Sequence, residues 1–178
     1  MREAPIGVAR AQRGQDLNLL PGHLYFGSEP AHIRTLLGSC VALTLWSPTR
    51  RIGGMCHFLL PSRRRPPGAP LDGRYGDEAV ELLLEAVQRA GSQPTEYQTH
   101  LYGGADTMPD QAGVKFNIGE RNIEQGWSLI ERYGFQLLVV DVGDHVPRHV
   151  TMDMGTGEVS MRRGASTAMR PNERRAAA

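Results

Sequence analysis

Two cysteines, Cys40 and Cys56, and six histidines are the residues of this 178-residue sequence best suited to nucleophilic chemistry. A thiolate is a strong nucleophile, and a neighbouring imidazole can take its proton and later return one to a leaving amine. A zinc site would need more thiols or clustered histidines, and the histidines here show none of the usual ligand spacings. We therefore expect cysteine chemistry without a metal.

Two β-rich runs, residues 41–46 and 52–60, predict an antiparallel hairpin; Cys40 directly precedes the first run, and His57 lies in the second. If residues 47–50 form its loop, Trp46 faces Arg51, and Cys40 then lies directly opposite His57. Directly opposed residues have Cβ atoms about 4.5–5.5 Å apart, which lets an imidazole reach a thiol. This register predicts a contact between Cys40 and His57.

The alternation of side chains along a strand separates the two thiols. Cys40 shares a face with the polar Thr44 and His57, whereas Cys56 falls on an apolar face that also holds Val41, Leu43, Leu45 and Ile52. We therefore interpret Cys56 as an inert core thiol and Cys40 as the candidate nucleophile. Gly38 and Ser39 would leave the thiol accessible, and the N–H groups of this turn would suit a developing oxyanion. A purely structural cysteine–histidine pair remains the alternative, since spacing alone supports no more than a generic thiol hydrolase.

Two amphipathic segments predict helices over residues 77–90 and 120–133, each followed by a glycine suited to a left-handed cap, Gly91 and Gly134. Short β-rich runs predict the remaining strands, over residues 99–102, 135–142, 150–154 and 158–162. Many strands with only two helices indicate an α+β fold, in which the helices cover one side of a sheet or β-sandwich.

The composition excludes several classes of function. Lys and Arg number 20 against 19 Asp and Glu, so no strong net charge draws the protein to nucleic acid or to a membrane surface. The apolar runs are far shorter than a membrane span, and the first residues lack the apolar stretch of a secretory signal, so we expect a cytoplasmic protein without membrane insertion. We predict one domain over residues 22–163, a flexible N-terminal segment over 1–21 and a disordered tail over 164–178.

Several motifs together resemble the chemoreceptor glutamine deamidase family, CheD. The principal ones are TLLGSCVAL from Thr35, GGMCHFLLP from Gly53 and IGERNI from Ile118. Three shorter matches lie among and after these motifs in the order that the family has, namely RYGD from Arg74, YGGA from Tyr102 and DVG from Asp141. The resemblance spans about residues 20–162 and implies a three-layer α/β/β fold.

The resemblance also implies a reaction and roles for three residues. Cys40 would be the nucleophile, His57 the general base and acid, and Thr35 the residue that orients the imidazole. The implied reaction converts a receptor glutamine to glutamate through a thioester without a cofactor, and methyl ester hydrolysis would be a side activity. The implied partners are the cytoplasmic domains of methyl-accepting chemoreceptors and the phosphatase CheC, with Arg121 and Asn122 as structural supports of the site. A regulator that binds a chemotaxis phosphatase without turnover and a thiol amidase for small molecules are the alternatives.

Overall fold

A computed structural model of the protein describes residues 3–107 and 117–164. The chain forms nine strands, two α-helices and one short 3-10 helix, Pro94–Glu96, within these ranges. The strands before the first helix are β1 (Leu17–Asn18), β2 (Leu24–Gly27), β3 (His32–Leu37), β4 (Val41–Ser47) and β5 (Ile52–Phe58). The remaining elements are α1 (Gly76–Arg89), β6 (Gln98–Gly103), α2 (Ile118–Tyr133), β7 (Gln136–Val142), β8 (Arg148–Asp153) and β9 (Val159–Arg163).

The strands form two sheets that pack face to face. The five-stranded sheet has the order β2-β5-β4-β6-β7, and the four-stranded sheet has the order β1-β3-β8-β9. A helix-side core lies between the two helices and the five-stranded sheet and includes Val41, Leu43, Leu45, Cys56, Phe58, Leu83 and Leu129. An inter-sheet core lies on the other face and includes Ile33, Leu37, Ala42, Trp46, Met55 and Val150. The expected α+β fold with α, β and β layers is confirmed.

Both helices form where the apolar periodicity predicts them, and they end as expected. Gly91 has a φ of 70° one residue after the α1 C-cap, and Gly134, the α2 C-cap, has a φ of 76°. Glycine adopts this left-handed conformation without the steric cost that a Cβ brings. In the described ranges, no helix combines the length and the apolar character needed to cross a membrane.

The register of the β4–β5 hairpin differs from the predicted one. Ser47 pairs with Ile52, so the four-residue loop is 48–51 rather than 47–50, and His57 pairs with Ala42 rather than with Cys40. Arg51 belongs to the turn because its φ is 55° and its N–H donates to the Ser47 oxygen at 2.8 Å. The predicted direct opposition of Cys40 and His57 is therefore wrong. The shift moves every pair by an even number of positions, so each residue keeps its predicted face.

The sequence analysis did not predict β1, β2 or β3, although β3 carries Thr35. In the N-terminal segment, β1 pairs in parallel with β3, the Leu19 N–H donates to the Arg34 oxygen at 2.7 Å, and the Leu19 side chain is buried. This part of the segment thus contributes hydrogen bonds and apolar surface to the domain. The flexibility of residues 1–21 and the domain boundary stay predictions, and the tail from residue 165 lies outside the described residues.

Candidate active site

Cys40 lies between β3 and β4 in a loop whose carbonyl groups are all hydrogen-bonded to neighbouring elements. The Gly38 oxygen accepts from the Ala105 N–H at 2.9 Å, and the Cys40 oxygen accepts from the Gly104 N–H at 2.8 Å. The Ser39 oxygen accepts from the Asn122 side chain in α2 at 3.0 Å. Three successive carbonyls are thus held, which fixes the backbone of the loop and leaves the Cys40 residue partly exposed.

His57 lies near the end of β5, inside the sandwich. Its side chain faces the four-stranded sheet together with Met55, and the residue is 1% exposed. Its backbone is held at the sheet edge, because its N–H donates to the His23 oxygen at 3.0 Å and its oxygen accepts from the Gly22 N–H at 2.8 Å. His57 is therefore rigidly placed between the two sheets.

A hydrogen bond across the two sheets determines the tautomer of His57. The Thr35 Oγ1 lies 2.7 Å from His57 Nδ1 and also donates to the Leu19 carbonyl oxygen at 2.8 Å. A hydroxyl has one hydrogen, and a carbonyl oxygen can only accept, so both contacts require that Nδ1–H donates to Thr35 Oγ1. In the neutral ring the lone pair is then on Nε2, which is the state a general base needs.

Burial keeps this histidine neutral and the thiol protonated. Desolvation, with a smaller contribution from the nearby His23, lowers the pKa of His57 from 6.5 to about 4. Burial also raises the pKa of Cys40, an effect partly offset by its own backbone N–H. At neutral pH the resting pair is therefore a thiol and a neutral imidazole.

Cys40 and His57 lie at the same end of β4 and β5 but are not hydrogen-bonded to each other. Because Ala42 is the direct partner of His57 and the ladder ends with Val41 and Phe58, Cys40 lies two residues before that partner, just outside the strand. Its side chain packs against the same inter-sheet core as Ala42. His57 Nε2 is buried and has no hydrogen-bond partner among the described residues. Catalytic hydrogen bonds are often long in a free enzyme and shorten when substrate binds.

The face predicted for each thiol is confirmed. Cys56 is fully buried in the helix-side core, and desolvation raises its pKa to about 12. Cys40 packs against the inter-sheet core, on the side that holds His57 and Thr35. The two sulfurs therefore differ in accessibility, and this difference favours Cys40 as the candidate nucleophile.

Other features of the described ranges offer less for catalysis. A cavity of about 800 Å³ lies between the N-terminal segment, residues 65–71 and α1, but its lining contains no cysteine, histidine, serine or threonine. No group of three or more His, Cys, Asp or Glu side chains among the described residues is arranged to hold a metal ion. Nucleophilic chemistry is therefore best supported at Cys40.

The depressed pKa of His57 predicts a loss of stability in acid. Between pH 6.5 and about 4, this histidine is protonated in the unfolded chain but remains neutral in the folded protein. The contribution of His57 to the free energy of unfolding is fully present above pH 6.5, and about 3 kcal/mol of it is lost as the pH falls to about 4. Urea unfolding at pH 7 and pH 4.5 measures it. The His57→Gln variant should lose about 2 kcal/mol less than the wild type between these pH values.

The exposed His149 offers a matched control for this measurement. His149→Gln should lose as much stability as the wild type, because it keeps the buried His57. An equally steep loss in His57→Gln and in the wild type would contradict the assignment of the acid sensitivity to His57.

Sequence comparison identifies the family of this chain. The family described as CheD chemotactic sensory transduction matches residues 59–163, more than half of the sequence. The chain belongs to the CheD family. A probable chemoreceptor glutamine deamidase, CheD 3 of Dechloromonas aromatica, is 47% identical over 141 residues, which cover 79% of this chain and 83% of that protein.

Other CheD relatives match an even larger part of the chain. A probable chemoreceptor glutamine deamidase of Pseudomonas savastanoi pv. phaseolicola is 41% identical and covers 89% of this chain and 86% of its own. The protein of the same description from Pseudomonas syringae pv. syringae is 41% identical, and the match covers 93% of this chain and 90% of that protein. The range matched by the family begins two residues after His57, so it includes none of Cys40, His57 and Thr35.

One solved structure has a weaker likeness to this CheD protein. The crystal structure of Bacillus licheniformis hypothetical protein YfiH matches with a TM-score of 0.45 and 13% identity, covering 76% of this chain and 62% of that one. A likeness of this size carries no argument about the site.

The structure adds partners that the sequence analysis did not identify. The Leu19 carbonyl accepts from the Thr35 hydroxyl, and His23 lies beside His57. Neither residue belongs to a motif identified in the sequence. Burial alternates along residues 32–37, but polarity alternates only over 32–34, because Leu36 is exposed and Thr35 is buried. The sequence pattern is therefore only a weak signal for this strand. The expected support by Asn122 is seen as a contact with the Cys40 loop.

Proposed function

We propose that this protein deamidates glutamine side chains of chemoreceptors, with Cys40 as nucleophile, His57 as general base and acid, and Thr35 as the residue that orients the imidazole. The observation that carries the proposal is the hydrogen bond of His57 Nδ1 to Thr35, which leaves Nε2 as a free acceptor on the side of the sheet that also holds Cys40. The CheD relatives named as probable chemoreceptor glutamine deamidases support the choice of substrate. No other pair of described residues combines a partly exposed thiol with an oriented neutral imidazole.

The proposed reaction exchanges the amide nitrogen for a water oxygen. Cys40 Sγ attacks the glutamine Cδ while its proton moves to His57 Nε2. The protonated ring then donates this proton to the leaving nitrogen, ammonia departs, and a thioester remains. Water, deprotonated by Nε2, attacks the thioester and releases glutamate and the Cys40 thiol. No cofactor enters this sequence.

Backbone N–H groups of the Cys40 loop are suited to the oxyanion formed in both steps. In a trans peptide the N–H points away from the preceding C=O. Because the Gly38 and Ser39 carbonyls are held towards β6 and α2, the N–H groups of Ser39 and Cys40 point the opposite way. Neither group donates to a backbone carbonyl within the described part of the chain. Removing one such donor in other hydrolases costs about 10²–10³-fold in kcat.

The same machinery extends the proposal to esters and to partners. A receptor methyl ester passes through a similar tetrahedral intermediate, so methylesterase activity belongs to the proposal. The protein would work in the cytoplasm on receptor cytoplasmic domains. Binding of the phosphatase CheC remains a prediction from the family resemblance.

Incubation with receptor cytoplasmic fragments tests the function. Mass spectrometry of the digested fragment should show the replacement of NH₂ by OH at specific glutamines, with release of ammonia. An unchanged fragment would contradict the proposal. In that event, tight phosphatase binding that persists in Cys40→Ala would favour a non-catalytic regulator. Ammonia released from free glutamine would instead indicate a small-molecule amidase.

Thr35→Val should lower deamidation about 10–100-fold in kcat, with little change in KM. Valine keeps the shape of threonine but cannot accept from Nδ1–H, so the ring is free to adopt the other tautomer. Steady-state kinetics measures the loss, and ¹⁵N NMR of the His57 ring should show protonated Nδ1 in the wild type and a tautomer mixture in the variant.

Thr99 provides the matched control, because it is buried and its hydroxyl has no hydrogen-bond partner among the described residues. Thr99→Val makes the same chemical change away from the site and should keep wild-type kinetics. If Thr35→Val keeps both wild-type kcat and a protonated Nδ1, Thr35 does not orient the ring.

A further inference from the structure

One amide group joins the loop of the candidate nucleophile to the strand of the candidate base. Asn122 Nδ2 donates to the Ser39 oxygen at 3.0 Å and to the Leu59 oxygen at 2.9 Å. Ser39 directly precedes Cys40, and Leu59 follows His57 by two residues. Because both N–H bonds of the amide go to carbonyl oxygens, the orientation of this side chain is determined.

Asn122 is held firmly in this position by α2. The residue is fully buried, and the first turn of α2 packs closely on the backbone that follows β6. Gly119 lies against Gly104 so closely that a Cβ on Gly119 would overlap the Gly104 oxygen. Gly104 in turn donates to the Cys40 oxygen at 2.8 Å. The loop, the end of β6 and α2 therefore form one rigid support.

The remaining polar atom of Asn122 argues against a role limited to filling space. Its Oδ1 is buried and has no hydrogen-bond partner among the described residues. A buried acceptor without a partner is destabilising, and an apolar side chain of similar volume would avoid this cost. The benefit of asparagine at this position therefore lies in its two donated hydrogen bonds.

We infer that Asn122 is a positioning residue that orients the Cys40 N–H for the oxyanion, an inference that rests on the proposed function. Holding the Ser39 carbonyl towards α2 turns the N–H of the same peptide, that of Cys40, towards the substrate side. Asn122 thus acts through the backbone of Cys40 and does not touch the substrate.

Asn122→Leu removes both donors at similar volume, and Asn122→Asp keeps the shape while removing the donor pair.

Two reactions of Cys40 separate an effect on positioning from an effect on folding. Hydrolysis of p-nitrophenyl acetate forms an acetyl thioester, expels nitrophenolate and needs oxyanion stabilisation. Alkylation by iodoacetamide displaces iodide and needs the thiolate of Cys40 but no oxyanion stabilisation. We expect kcat for the ester and for receptor deamidation to fall on the order of 10²-fold, with KM and the alkylation rate within about threefold of wild type.

Ser92→Ala is the control, since Ser92 is also buried and donates to the Val87 oxygen at 2.7 Å, away from the site. It should lower the thermal midpoint and leave both reactions unchanged.

Wild-type ester turnover in the Asn122 variants overturns the inference, and so does a parallel fall of ester turnover and alkylation. If the wild type hydrolyses the ester but does not deamidate receptors, the proposed substrate is wrong, and the ester comparison still decides the role of Asn122. A wild type that transfers no acyl group overturns both.

Discussion

Replacing Cys40 with alanine should abolish the conversion of receptor glutamine to glutamate. The sulfur forms the thioester, and no second described thiol can replace it, because Cys56 is fully buried in the helix-side core with a pKa of about 12. We expect kcat/KM to fall by on the order of 10³-fold or more, as for other hydrolases that lose their nucleophile. Mass spectrometry of receptor fragments after incubation with each variant measures the effect.

Cys56→Ala is the matched control for this substitution. It removes the other sulfur from the same hairpin and should reduce stability through the cavity that it leaves, while activity stays within about twofold of wild type. Iodoacetamide at neutral pH should modify Cys40 well before Cys56. Deamidation that survives in Cys40→Ala would disprove the thioester mechanism, and equal labelling rates would disprove the face assignment.

Replacing His57 with glutamine should lower kcat for deamidation about 10³-fold, since glutamine can bond to Thr35 but cannot accept and return a proton. The wild type should show an acid limb of kcat/KM at about pH 4 rather than near 6.5, because the neutral ring persists down to its lowered pKa. Below this limb Nε2 is protonated and cannot act as the base. Activity measured from pH 4 to 8, corrected for unfolding, provides the profile.

His23→Gln is the control for His57, because His23 lies beside it at the sheet edge and contributes to its lowered pKa. This variant keeps the base and should remain active at pH 7, with an acid limb displaced slightly upward. An acid limb near 6.5 in the wild type would show that His57 is not desolvated in the working enzyme. Full activity in His57→Gln would remove it from the mechanism.

The alternation of side chains along β4 and β5 was readable from the sequence because it depends only on neighbouring residues. It separated Cys40 from Cys56 correctly, and the structure places the two thiols against different cores. The helical segments were readable for the same reason, since a period of 3.6 residues and a glycine cap are local features. The motif order also identified the CheD family, which sequence comparison shows.

The hairpin register was not readable, because it depends on which residue adopts the left-handed turn conformation. Arg51 does so here, against the usual preference for glycine or asparagine, and this moves the loop by one residue. The pairing of Cys40 with His57 was therefore predicted on the right face but at the wrong position. The face survives the error because the alternation has a period of two.

The sequence by itself determined the candidate nucleophile, its face and the family, since each of these depends on local pattern or on motif order. The tertiary structure determined the orientation, the tautomer and the pKa of the candidate base, His57. Thr35 meets Leu19 across 16 residues of chain and His57 across 22, and Asn122 reaches Ser39 across 83. Such contacts exist only after the two sheets and α2 have packed, because a hydrogen bond needs both partners within about 3 Å and burial needs the surrounding layers. The tautomer and lowered pKa of His57 and the held Ser39 carbonyl are therefore properties of the folded protein.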